Sequence, residues 1–531
     1  MPRYRHDSRH TRKASVLLAV LVVVSTLSLA AYQYSDMMDQ EQVAAMASLR
    51  QTQARALADS GIHYAAALLS DPDSLSGTLG NNTYDNDGSF KAIQVGQIED
   101  GRRTGRFSIV AAIPVEDAGA QKFRYGVTDE SGRLNINALI ASGVGLNVVH
   151  NILMKLPNMT DEIADSIINW ILPSTRTPQP NGADSSYYAG LQPPYRCKNG
   201  PLDTIEELLL VRGVTSQLLF GTDYNRNGIQ DSGEDTGNGF DPGWAAYLTV
   251  YSRFRNVDSD GNARLNLNDT ISQSYYDNLK TALGQPAADF IVLSSQNNPQ
   301  ADQADSTKSD AEITQNVIKS IIQRGGKLTL TSAWDLLDTS ASGKGKDVTI
   351  MVPPPPRQPG QRGGGGQPRR ITVKNPLGDQ SQQQQLLPTL LDKTTTKSGQ
   401  ELPARINVLS APQQVLTCLT GIGTQGGLTD ADVQNILQAR PALSSGQPTD
   451  DIYKTTAWMY LEAKIQPRTM AALEQYITSR TQVYRVEAIG YFDEGGPTAR
   501  VEAVIDTNNG KPRVMMWRDL SELGKGYNLN Q

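Results

Sequence analysis

The chain has 531 residues, 38% hydrophobic and 20% charged, which is globular in composition and too long for a single core, so two or three domains are expected. Its formal charge of -6 supplies no general attraction for nucleic acid, whose binders carry a basic face. Two cysteines, Cys197 and Cys418, exclude a disulfide framework and leave either one bridge or two small buried hydrophobes.

The opening MPRYRHDSRHTRK sets Arg3, Arg5, Arg9, Arg12 and Lys13 against Asp7 alone. Residues 14–31, ASVLLAVLVVVSTLSLAA, then run without a charge. At about 1.5 Å per residue, about 18 residues just span a hydrocarbon core. The basic flank keeps the leader cytoplasmic and places everything after Tyr34 outside. A cleaved secretory signal needs a break after its apolar stretch. Here the chain continues in good helix formers, with Val43, Met46, Ala47, Ala54, Leu57, Ala58, Ile62, Ala65 and Leu68 recurring at helical spacing. One helix is expected from about Ser15 to Leu69, membrane-embedded first and amphipathic afterwards.

Strands are predicted at KAIQVGQI (residues 91–98), GRFSIVAAIPV (105–115) and KFRYGVTDE (122–130), and again near the C-terminus at 482–492, 498–506 and 512–520. Between these sets the periodicity is helical, at residues 161–172, 204–214, 310–324, 410–419, 429–440 and 467–480. The pattern therefore predicts an α+β protein. A long transmembrane and amphipathic helix lies on an antiparallel sheet built from both ends of the chain, with a large, mostly α-helical domain inserted. The expected divisions are 1–14 (leader), 15–70 (helix), 71–130 (first part of the sheet), 131–480 (insert) and 481–531 (second part of the sheet).

Three segments repeat a pattern: DESGRLNIN (129–137), DGNARLNLN (260–268) and LPARINVLSAP (402–412). Each has a basic residue, an aliphatic and an asparagine ahead of a helix, which Asn137, Asn268 or the serine of the third copy could cap. The repeat reads as a reused turn-and-cap unit rather than a ligand site. MVPPPPRQPGQRGGGGQPRR (351–370), continued by SQQQQ (381–385), is expected to be a disordered loop over about 351–400.

DYNRNGIQDSGE (223–234) is written like a calcium loop. Calcium takes six to eight oxygens. Asp223, Asn225 and Asn227 supply side-chain oxygens at alternating positions, Gly228 the sharp turn, Ile229 a carbonyl, and Asp231 and Glu234 the ninth and twelfth ligands. A turn, EDTGNGFDPG, follows instead of a helix, and Asp235, Asn238 and Asp241 are candidate additional ligands. The reading is a structural clasp rather than a sensor, whose exiting helix must move.

No catalytic residue is assigned. The four histidines form no HExxH, no zinc-like Cys/His spacing occurs, and no GxSxG elbow is present. GKGK (343–346) lacks phosphate-loop spacing, and GIGTQG (421–426) follows a helix rather than a strand. Residues 406–440 resemble a helix-hairpin-helix unit, whose turn can offer N–H groups to a DNA phosphate. Its neighbours Thr420, Thr424, Gln425 and Asp430 supply no cation, and Arg440 is a helix away, so packing is the expected role and pilin-like DNA uptake the alternative.

The order of these elements, with ARALADSGIHYAAALL, DESGRLNINAL, IINWI, TIEELLLVRGV, LTVYS, RLNLN, RINVLSAP and the closing VEAVID strand, resembles K-type minor pseudopilins of the type II secretion system. The resemblance implies a pilin-like fold with a helical insertion and calcium in the region joining the subdomains. It implies a prepilin peptidase cut between Ala14 and Ser15, where most relatives have glycine before the cut and glutamate at the fifth mature position; here Ala14 and Ala19 stand instead. It also implies a single-pass protein of the bacterial inner membrane with its bulk periplasmic. Such a subunit sits at the pseudopilus tip with I- and J-type minor pseudopilins and the major pseudopilin, where it meets exported proteins or the outer-membrane secretin.

Overall fold

The computed structural model describes residues 11–96, 104–114, 121–234, 237, 239–340, 344–355, 367–422, 427–443, 450–508 and 510–529. The start of the leader, the glycine-rich part of the 351–370 segment, Gly343, Asp235, Asn238 and the GTQG half of the 421–426 turn lie outside them.

Helix α1 runs over Thr11–Ser70. Its first half carries Val16, Leu17, Leu18, Val20, Leu21, Leu27 and Leu29 exposed, and α1 is the helix among the described residues long and apolar enough to cross a membrane. Its second half buries Ala54, Ala58, Ile62, Ala65, Ala66 and Leu69, a stripe of mostly small residues three and four apart that brings the helix close to the sheet. The approach is tightest at Gly490, where a Cβ would stand 2.1 Å from the Ala54 carbonyl oxygen and 2.6 Å from the Ala58 nitrogen.

After α1 come β1 (Ile93–Gln94), β2 (Gly105–Ala112), β3 (Phe123–Arg124) and β4 (Thr128–Asp129). The chain then leaves the sheet for the insert. There, short strands form parallel pairs: β5 (Leu134–Asn135) with β6 (Leu248–Thr249), β8 (Leu265–Asn266) with β11 (Thr394–Thr395), and β13 (Ile406–Asn407) with β14 (Ile477–Thr478). Antiparallel pairs join β7 (Phe254–Arg255) to β12 (Glu401–Leu402), and β9 (Val348–Val352) to β10 (Arg369–Val373). The chain returns with β15 (Val483–Phe492), β16 (Ala499–Asp506) and β17 (Arg513–Asp519), giving a sheet of order β1-β2-β15-β16-β17 in which β3 pairs with β2 and β4 with β15, all antiparallel. Two large cores result. One lies between α1 and the sheet, around Ile62, Phe107, Val486 and Val501. The other fills the insert, around Trp244, Phe290, Trp334 and Trp458.

The insert's helices start where their caps stand. Thr160 caps Asp161–Ile171, and Ser309 with Glu312 and Thr429 with Asp432 form capping boxes for Asp310–Gln323 and Asp430–Ala439. Cys197 and Cys418 are both buried and unbridged.

Several expectations are corrected. The segment 351–400 is not a continuous disordered loop: β9 and β10 form a hairpin, and the glutamines begin a helix, Gln380–Lys393. Glutamine is a good helix former, Asp379 caps the first turn, and Leu387, Leu390 and Leu391 are buried. The stretch 204–214 forms a 3₁₀ turn, Ile205–Leu210, because only Leu208 of three consecutive leucines reaches the core. The 467–480 helix ends at Leu473, and Ile477–Thr478 pairs as β14 instead. Of the strand expected over 91–98, Ile93–Gln94 forms, with Gly96 in left-handed backbone just beyond, and 97–98 lie outside the described residues. In the repeat, the first asparagine caps the helix: Asn135 accepts from the Ala138 N–H at 2.9 Å, while Asn137 bonds the backbone of Leu202 and Asn268 that of Leu330. In the third copy, helix Gln413–Cys418 starts after Pro412 without a side-chain cap.

The contact at Gly490 yields a test. Gly490→Ala forces helix and sheet apart and should destabilise the protein by about 1–3 kcal/mol, seen as a lower Tm. Gly77→Ala, with open space around the added methyl, should leave Tm nearly unchanged.

Candidate functional site

The loop 223–234 belongs to the insert by sequence, yet it docks on the sheet. Gly228, at φ +71°, turns the chain so closely over β2 that a Cβ would meet that of Ala112 at 2.9 Å. The next side chain, Ile229, is 8% exposed and belongs to the core between α1 and the sheet. The sheet then holds the loop by its carbonyls. Arg500 on β16, 1% exposed, donates to the carbonyls of Asn225 (2.8 Å) and Arg226 (2.7 Å). The Tyr527 hydroxyl reaches that of Asn227 (2.7 Å) and Lys122 donates to that of Gln230 (2.6 Å). Arg500 also pairs with Glu487 on β15, and Glu487 lies 2.9 Å from the Tyr527 hydroxyl.

A second set of charges lies alongside. Arg485 on β15 grips Glu130 with two bonds, 2.8 and 2.7 Å, and donates to Glu502 on β16 at 2.6 Å. Glu130, fully buried just past β4, also accepts from the Thr249 hydroxyl on β6 in the insert. Arg518 on β17 pairs with Glu206 of the insert at 2.5 Å, and Arg226 of the loop approaches the same carboxylate at 3.7 Å. Arg485, Glu502, Thr249, Arg518, Glu206 and Arg226 line a cavity of about 140 Å³. Burial pushes Glu130 and Glu502 up, but the Arg485 guanidinium and its hydrogen bonds more than offset this, and both stay below the ordinary value of 4.5. At Glu487 burial outweighs Arg500 and the shift is upward.

All six residues expected to ligate a cation lie in the docked loop. Asp223 and Glu234 are buried. Asp223 accepts from the N–H groups of Asn227 (3.1 Å) and Gly228 (2.8 Å), and Glu234 from those of Tyr224 (3.1 Å) and Asp231 (3.0 Å). Asp231 accepts from the amides of Asn225 (2.7 Å) and Asn227 (2.8 Å). Among the described residues no group of three or more His, Cys, Asp or Glu side chains converges tightly enough to hold a metal. The donor set is instead mixed: three carboxylates, two amides and the Ile229 carbonyl, all oxygen, as a hard cation requires. Two of these carboxylates are buried without an ion-pair partner among the described residues, and burial pushes Asp223 above its ordinary range. A buried carboxylate without a cation is costly, so the residues fit a bound divalent ion.

The described end of the helix-hairpin-helix turn, Gly421 and Ile422, is packed. A Cβ on Gly421 would lie 2.8 Å from the Asn151 backbone, and Ile422 is buried, so this end of the turn faces protein.

Sequence reading missed Arg485, Glu487, Arg500 and Glu502. The available signal was RVEA, present at 485–488 and again at 500–503. Glu487 stands opposite Glu502 in the β15–β16 register, and each is relieved by an arginine on the neighbouring strand, Glu487 by Arg500 and Glu502 by Arg485.

A helix long and apolar enough to cross a membrane, laid by its second half on an antiparallel sheet with a helical domain inserted, is the α+β architecture expected from the sequence. Residues 132–220 match the family model of protein K of the type II secretion system. That match falls in the first part of the inserted domain. A chain in the crystal structure of the GspK–GspI–GspJ complex of the type 2 secretion system from enterotoxigenic Escherichia coli is similar at 10% identity, with a TM-score of 0.36 over 91% of this chain and 98% of that one. No curated protein matches by sequence.

The buried pairs set the response to acid. A carboxylate whose folded pKa is depressed stabilises the protein above its unfolded pKa and loses that contribution as pH falls. For Glu130 and Glu502 the loss begins near their ordinary value of 4.5, so Tm should fall as pH drops below that point. Glu130→Gln, which leaves Arg485 half-paired, should cost about 3–5 kcal/mol at neutral pH and flatten the acid limb of the Tm profile.

Proposed function

We propose that this chain is a non-enzymatic minor pseudopilin at the tip of the type II secretion pseudopilus, supporting its assembly and protein export across the outer membrane. The observation that carries this reading is the division of α1: its second half is packed on the sheet while its apolar first half stands free. That free half anchors the subunit in the inner membrane, N-terminus cytoplasmic and bulk periplasmic, and packs against other subunits when the pseudopilus grows. Ala19 suits a terminal position, because a subunit with none ahead has no neighbouring N-terminal amine for a glutamate to meet. The partners proposed are I- and J-type minor pseudopilins, as named for the Escherichia coli complex, with the major pseudopilin beneath and exported proteins or the secretin ahead. Prepilin peptidase is proposed to cut between Ala14 and Ser15, within α1.

The loop 223–234 is proposed to hold structural calcium through Asp223, Asn225, Asn227, the Ile229 carbonyl, Asp231 and Glu234. The ion would neutralise the loop's carboxylates, while Arg500, Tyr527 and Ile229 hold the loop on the sheet.

Two measurements test these readings. The mass of the N-terminal peptide from native membranes should place the start at Ser15; an intact start, or one beyond about residue 31, would remove the pseudopilus mechanism. Co-purification with I- and J-type subunits should follow. For the clasp, calcium should raise the Tm of the wild type and chelation should lower it. Replacing Asp223 and Glu234 by alanine should lower Tm in calcium and abolish the response; a variant with unchanged stability and calcium response sinks the clasp.

A further inference from the structure

The three sequence repeats are three copies of one structural unit. In each, Arg-Leu-Asn or Arg-Ile-Asn forms a short parallel pair in which the asparagine faces a threonine: Asn135 with Thr249, Asn266 with Thr395, and Asn407 with Thr478. The arginine ahead of each pair is Arg133, Arg264 and Arg405. In the first copy that charge is answered, since Glu130 lies 3.7 Å from Arg133. In the other two the nearest carboxylates, Glu474 for Arg405 and Asp392 and Glu474 for Arg264, act only from beyond ion-pair distance. Arg264 and Arg405 flank the ring of Phe254 at 5.8 and 4.7 Å from its centroid, and the buried Nε of each has no hydrogen-bond partner. Among the described residues neither side chain forms an ion pair.

Nearby carboxylates are committed elsewhere. Asp258, Asp260 and Asp392 surround Lys393 at 2.9, 2.5 and 3.7 Å. Glu474 accepts from the Ser332 hydroxyl and from the Ala333 N–H at 3.1 Å. A third guanidinium, Arg480, donates to the Val257 carbonyl at 2.5 Å. Burial first, then repulsion from Arg480 and Arg405, pushes Arg264 below its usual range. Arg405 lines an open cavity of about 390 Å³ together with Lys397, Thr331, Thr396, Gln475 and Glu474. That volume lies within the range of about 300–1,000 Å³ usual for small-molecule sites, and guanidinium and ammonium groups are donors that bind oxyanions.

We propose that this cavity binds a small oxyanion, a phosphate or a carboxylate, held by Arg405 and Lys397 and stabilised by the field of Arg264 and Arg480. The anion gives the second and third copies the negative charge that Glu130 gives the first.

Isothermal titration of the detergent-solubilised full chain, in metal-stripped chloride buffer at constant ionic strength, tests this with sodium phosphate and sodium citrate as probes. One saturable site is expected for at least one of them, weakened tenfold or more by Arg405→Gln and by Lys397→Gln. Lys397 is exposed, so its replacement leaves the fold intact even where Arg405→Gln does not. Binding of phosphate alone identifies the ligand as a phosphate, and binding of citrate alone as a carboxylate. Absence of saturable binding for both probes, or wild-type affinity in Lys397→Gln, overturns the site.

Discussion

Arg500 donates in two directions from the interior of the molecule. On one side it neutralises Glu487 in the neighbouring strand, and on the other it holds the carbonyls of Asn225 and Arg226 in the insert's loop. A charge this deeply buried is costly unless every donor is satisfied, and the loop supplies the acceptors that the sheet alone lacks. The insert is therefore more than an appendage, because withdrawing its loop would leave two terminal donors of a buried arginine without acceptors inside the sheet domain. Ile229 adds an apolar contact, and Arg485 repeats the logic by joining Glu130, which also meets the insert at Thr249, to Glu502. The joint between the two cores is thus polar at its centre and requires both parts to be in place.

The long helix, the C-terminal strands and most helices of the insert were legible because each is announced by a local period or cap, such as the Ser309 and Glu312 pair. Gln380–Lys393 was not: its composition resembles a disordered tract, and only burial of Leu387, Leu390 and Leu391 by distant elements fixes it as a helix. Pairing of β14 with β13, across some seventy residues, overrode helical periodicity in the same way. For the site, the oxygen spacing of 223–234 was visible in sequence. What the loop rests on was not, because Arg500 and Tyr527 are close to it only through the sheet's topology.

The repeat shows how one local unit can serve three environments. The Asn–Thr register is kept in every copy, whereas the partner of the arginine is not. In the first copy the unit sits against the sheet, where a glutamate was available. In the second and third it lies around Phe254, among carboxylates already held by Lys393 or by Ser332 and Ala333. The shared backbone reflects a geometry that is satisfied locally, and the divergent charges reflect where each copy was placed.

The pairing of β4 with β15 has a consequence for how the chain reaches this state. Asp129 and Tyr484 are register partners, so the sheet cannot close until some 350 intervening residues have brought their ends together. Closing so long a flexible loop carries an entropy cost that grows with the logarithm of its length. A helical insert with its own core shortens the effective loop to the gap between its two ends. Its formation would come before completion of the sheet, and the last strands would zip onto a template the insert has already set.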